Sequence, residues 1–101
     1  MKAIEVNGTT INDIEIENTL KALQQYVEGY IEAVTLVPGE VAMIVNEEGL
    51  LRGMQLNQLA TVIASRMIVG PALIVGIDDE EFCDIPEEVK RTLHIRYGGG
   101  K

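Results

Sequence analysis

The chain has 101 residues, sixteen Asp plus Glu against eight Lys plus Arg, a formal charge of −8, one Cys, one His and no Trp. That length suits one domain, here residues 1–97 with a flexible glycine tail at 98–101 and a core of Val, Ile, Leu and Met. The charge argues against duplex DNA or an anionic membrane as partner, because polyanions are held by a positive footprint.

Ala3 to Val6 reads as a short first strand, closed by the turn signal Asn7-Gly8. Ile11, Ile14 and Ile16 follow in a polar segment that fits an irregular loop or a short strand equally well. Asn18 is placed to cap a helix in which Leu20, Leu23, Val27 and Tyr30 recur at helical spacing, with Gly29 as its left-handed end. Ile31–Val37 and Val41–Val45 are β-branched runs joined by Pro38-Gly39, which predicts a type II turn and an antiparallel hairpin over about 31–45. Asn46-Glu47-Glu48-Gly49 forms a second tight turn, in which Asn46 makes a local bond.

Leu56, Leu59, Ala60, Ile63 and Met67 predict a second amphipathic helix with Asn57 as its cap. Gly70-Pro71 ends it, and the near-continuous apolar run Ala72–Ile77 predicts a central strand. Asp84, Pro86 and Glu87 open a third helix whose apolar face is Val89, Leu93 and Tyr97. Its acids lie at the start and its bases at the end, complementing the macrodipole. The order β-α-β-β-α-β-α implies an α+β fold, a small, mostly antiparallel sheet with two or three helices packed on it.

The chemistry of catalysis is thinly represented. Ser65, the only serine, falls inside a predicted helix without a glycine elbow. Cys83 and His94 are read as a small buried hydrophobe and a helix-surface residue, not as a catalytic pair. A lone cysteine closes no intramolecular disulfide, and no Cys/His set exists for zinc, so no metal, cofactor or catalytic residue is expected. The segment 78–88 holds seven carboxylates and no base, but lacks the alternating spacing and central glycine of a calcium loop. Gly70 to Gly76 lacks the lysine of a phosphate loop. The N-terminus carries no apolar signal region, and no apolar stretch approaches the ~20 residues of a membrane span. A cytoplasmic, reducing setting is expected for Cys83.

Four blocks in order carry a family resemblance: Leu23-Gln24-Gln25-Tyr26-Val27-Glu28-Gly29-Tyr30-Ile31-Glu32, Asn46-Glu47-Glu48-Gly49, Leu56-Asn57, and Ile68-Val69-Gly70 through to Ile74-Val75-Gly76. Over about residues 1–82 the chain resembles the domain of unknown function 3846, found largely in bacteriophages and mobile elements. It departs at Glu28, where the family commonly has Gly, and at Met54-Gln55-Leu56, where a proline-containing turn is favoured. The resemblance implies a genomic setting and no reaction.

That setting favours small proteins that act by binding, and two hypotheses follow. In the first, the chain is a counter-defence inhibitor whose carboxylates, Glu47, Glu48, Asp78, Asp79, Glu80 and Glu81, imitate nucleic acid and occupy a host nuclease or CRISPR effector. In the second, it forms a homo-oligomer that sequesters a small nucleotide signal, with Asn46, Arg52, Asn57, Arg66, Arg91 and Arg96 as ligand-binding candidates. An enzyme degrading such a signal is a weaker third, testable by turnover that is lost on Glu47→Gln or Glu48→Gln.

Overall fold

An apolar run with no polar face belongs in the middle of a sheet covered on both sides, and that is where Ala72–Asp78 lies. The computed structural model describes residues 1–98. Its elements in chain order are β1 (Lys2–Asn7), β2 (Thr10–Glu15), α1 (Leu20–Val27), β3 (Ile31–Val37), β4 (Val41–Asn46), α2 (Gln58–Ala64), β5 (Ala72–Asp78), β6 (Glu81–Cys83) and α3 (Glu87–Tyr97). The strands form one antiparallel sheet of order β2-β1-β5-β4-β3, with β6 also paired to β5. The fold is α+β, with two strands more than the sequence order predicted.

Both faces of the sheet are covered. On one, Leu23 and Val27 of α1 pack with Ala3, Ile44, Leu73 and Val75. On the other, Ala60 of α2 and Leu93 of α3 pack with Ile4, Val6, Met43 and Ile74. Ile4, Met43, Ile44, Leu73, Ile74 and Val75 are fully buried, and each such side chain contributes about 1.5–3 kcal/mol relative to exposure. His94 Nε2 donates to Asp13 Oδ1 at 2.6 Å and Lys90 lies 3.7 Å from the same carboxylate, tying α3 to β2. That hydrogen bond from His94 is the main reason the Asp13 carboxyl titrates below its ordinary value.

The type II turn is present: Gly39 has φ +72° and Glu40 N–H donates to the Val37 carbonyl at 2.9 Å. Asn57 caps α2 by accepting from Ala60 N–H. Several expectations are corrected. The undecided segment around Ile11 and Ile14 is a strand, and its partner β1 supplies the pairing that a polar edge cannot signal alone. Thr19, not Asn18, caps α1, while Asn18 donates to the Phe82 carbonyl.

The left-handed residue after α1 is Glu28, at φ +68°, rather than Gly29. Leu20 and Tyr30 are exposed, so the buried stripe of α1 is narrower than the spacing predicted. α2 stops at Ala64 because Ser65 turns left-handed, which leaves Met67 off the helix, and Leu56 precedes the Asn57 cap; both are exposed. Asp84 does not cap α3, since its carboxylate accepts from Lys2 N–H at 2.8 Å and Pro86 holds the cap position. Cys83 is half-buried on β6 rather than in the core. Gly98 ends α3 by donating to the His94 carbonyl, and the rest of the expected glycine tail, 99–101, lies outside the described residues. No helix among the described residues is long and apolar enough to cross a membrane.

Candidate functional site

The two acidic segments read from the sequence lie at opposite ends of the sheet. Asp78-Asp79-Glu80-Glu81 forms the turn between β5 and β6, with Asp78 opposite Glu81. Asp79 and Glu80 both have positive φ, +54° and +71°. Two consecutive left-handed residues are what a two-residue hairpin turn of type I′ demands, a role that Asn-Gly fills with least strain. A glutamate there is held against its own preference by roughly 1–2 kcal/mol.

Other carboxylates gather at this end. Glu40 lies beside the turn, its carbonyl accepting from Ile77 N–H. Glu15 pairs with Lys2 at the start of β1, where Asp84 is also anchored, and Glu87 and Glu88 open α3. The Cys83 thiol is pushed above its ordinary value by partial burial, then by the charges of Asp78 and Asp84.

Glu47 and Glu48 follow β4 at the other end. Here Asn46, only 5% exposed, organises the loop: its Nδ2 donates to the Val27 carbonyl and its Oδ1 accepts from Glu48 N–H at 2.7 Å. Arg52 reaches the Glu28 carbonyl from the same loop. Both side chains press on Gly29, where a Cβ would come within 2.8 Å of each; the glycine is therefore required by close approach rather than by its dihedral angle.

A cleft of about 550 Å³ opens beside this loop, with Lys21, Gln24, Tyr30 and Arg52 in its wall together with the acids Glu28 and Glu48. A second, of about 350 Å³, lies under Glu47 and Arg66 and is flanked by the exposed Leu50, Leu51 and Met67. Arg66 is paired there with Glu32 at 3.3 Å.

The remaining candidates do not converge on one pocket. Arg91 and Arg96 are exposed on α3, away from the clefts that hold Arg52 and Arg66. Asn57, 3% exposed, donates to the carbonyls of Val6 and Gly70 while it caps α2, so its amide is fully used. It contributes to the wall of a third cleft, of about 510 Å³, which also contains Glu5, Tyr26, Glu28 and Gln55. The sequence reading missed this cleft. Tyr26 O–H donates to Glu5 Oε2 at 2.9 Å, and burial, then that hydrogen bond and charge, raise the phenol above its ordinary range. The only signal was a tyrosine three residues after Leu23, a spacing that reads as core. His94 is engaged by Asp13 and not by Cys83. Among the described residues no three of His, Cys, Asp and Glu are grouped to hold a metal ion.

The family model described as Domain of unknown function (DUF3846) matches residues 1–97. The chain belongs to the DUF3846 family. The match extends beyond the blocks at 23–76 to include β6 and α3, so the acidic turn and the last helix are part of the DUF3846 unit. Glu28 occupies the left-handed position after α1, a backbone angle that glycine adopts with least strain. No curated protein and no solved structure matches the chain.

Proposed function

We propose that this chain is a non-catalytic accessory protein of a phage or mobile element that acts in the host cytoplasm by binding. Its partner on this reading is a host protein, such as a nuclease or CRISPR effector, with a basic surface that otherwise holds nucleic acid. One observation carries the reading: the strained turn Asp79-Glu80 projects carboxylates at an end of the sheet already rich in them, with no base between residues 78 and 88. Local strain kept in a turn that Asn-Gly would close more easily is a pointer to function, and clustered like charge steers association with a basic surface. Of the carboxylates expected to act together, Asp78 to Glu81 form the contact, and Glu47 and Glu48 are too far round the sheet to share it.

The test is retention of host lysate proteins on immobilised chain, eluted with rising salt. Wild type is expected to hold basic nucleic-acid-binding proteins that elute as ionic strength rises. The fourfold variant Asp78→Asn, Asp79→Asn, Glu80→Gln, Glu81→Gln is expected to lose them. Equal capture by both proteins sinks the reading.

Sequestration of a nucleotide signal has one observation on its side, the cleft holding Lys21 and Arg52. Glu28 and Glu48 share that cleft, and Arg52 is already held by a carbonyl. Equilibrium dialysis against a panel of cyclic nucleotides tests it, with retention abolished by Arg52→Ala as the supporting result.

A further inference from the structure

The two edges of the sheet are unlike. β2, at one edge, presents Asn12, Asp13 and Glu15, and Asp13 is tied to α3. Charges of this kind discourage further strand pairing. β3, at the other edge, reads Ile-Glu-Ala-Val-Thr-Leu-Val, without Lys, Pro or Gly. Its one charge, Glu32, is compensated within the chain by Arg66.

The register fixes which backbone groups are free. Tyr30 accepts from Glu47 N–H, and Ile31 lies opposite Asn46. In an antiparallel ladder hydrogen-bonded pairs alternate with open ones, so Glu32 and Val34 bond to β4 while Ile31, Ala33 and Thr35 turn their N–H and C=O groups outward. Among the described residues nothing pairs with that outer edge. The side chains of Ala33 and Thr35 are exposed and short, so another backbone can approach. The irregularity between Thr35 and Val37 ends the usable stretch.

We infer that β3 is the interface of a homodimer in which a second copy of this chain pairs its own β3 antiparallel to the first. A two-fold axis at Ala33 sets Ala33 against its counterpart and Ile31 against Thr35, joining all the outward groups. Glu32 then faces Val34 of the other copy, so no like charges are opposed. Charge over the whole molecule selects the same arrangement. β3 runs from the Asn46 end of the sheet to the acidic end, so antiparallel pairing sends the two acidic ends to opposite poles of the dimer. Such an interface is isologous and closes on itself. The charged β2 edge gives the joined sheet no site for further growth, so assembly stops at two. This assignment does not depend on the proposed partner of the acidic turn.

Sedimentation velocity over a concentration series tests it. Wild type is expected at twice the monomer mass. Ala33→Lys alters only an exposed side chain but places like charges face to face at the axis. It is expected to shift the species to monomer, with association weakened by tenfold or more, while circular dichroism shows the fold intact. Ala33→Cys in a Cys83→Ser background is expected to form a disulfide-linked dimer on mild oxidation, since directly opposed residues bring their Cα atoms to about 5.5 Å. A monomeric wild type at high concentration overturns the inference, as does a dimer that survives Ala33→Lys or fails to cross-link.

Discussion

Asn57 joins three parts of the molecule through one side chain, and its energetics follow from counting its partners. Its oxygen caps α2, and its amide satisfies carbonyls of β1 and of Gly70, just before β5. Removing a cap costs about 1 kcal/mol, and each carbonyl left buried without a donor adds about 1–3 kcal/mol. Asn57→Ala is therefore expected to lower stability by about 3–7 kcal/mol in urea unfolding. Asn57→Asp, which keeps the cap but turns a carboxylate oxygen towards two carbonyls, is expected to recover little of it. The capping role was legible, because Asn before an amphipathic run is a common helix start. The two donated bonds were not, since their acceptors are Val6 and Gly70, distant from it in the chain. Glu28 illustrates the same limit. Gly29 beside it is the obvious left-handed residue, yet close packing against Asn46 and Arg52 claims the glycine and leaves the positive φ to the glutamate.

Elements were legible where their signals are local. Pro38-Gly39 between two β-branched runs specified the β3–β4 hairpin, and the apolar run of β5 specified its central place. β2 was ambiguous because an exposed edge strand with Asn12, Asp13 and Glu15 has little apolar alternation to display. β6 is three residues long and lies within an acidic stretch, so its pairing depends wholly on β5. α2 ends on Ser65 in the left-handed region with no glycine to mark it. The β5–β6 turn makes its own prediction at this scale. Asp79→Asn with Glu80→Gly gives the turn the residues its angles favour and should raise stability by about 1–2 kcal/mol in urea unfolding. The same change removes two carboxylates, so retention of the basic partner should weaken as stability rises.

For the molecule as a whole, net charge was a poor guide and its placement is the useful quantity. Local spacing indicated which segments are acidic. Which end of the sheet each occupies depends on strand order, a non-local property, and so Glu47 and Asp78 could not be separated before the fold was known. Strand order also governs how the chain must fold. β5 binds β1 on one side and β4 on the other, and the β1 register joins Ile4 to Ile74. Until residues 72–78 have been made, the two flanking hairpins have nothing to join them, and their inner edges stay open. Closing so long a segment is entropically demanding and slows folding. A fragment covering 1–71 is expected to show no cooperative thermal transition by circular dichroism, whereas the full chain should refold in one phase on a millisecond-to-second scale. On the ribosome, β1 must wait for β5, a strand made long after it.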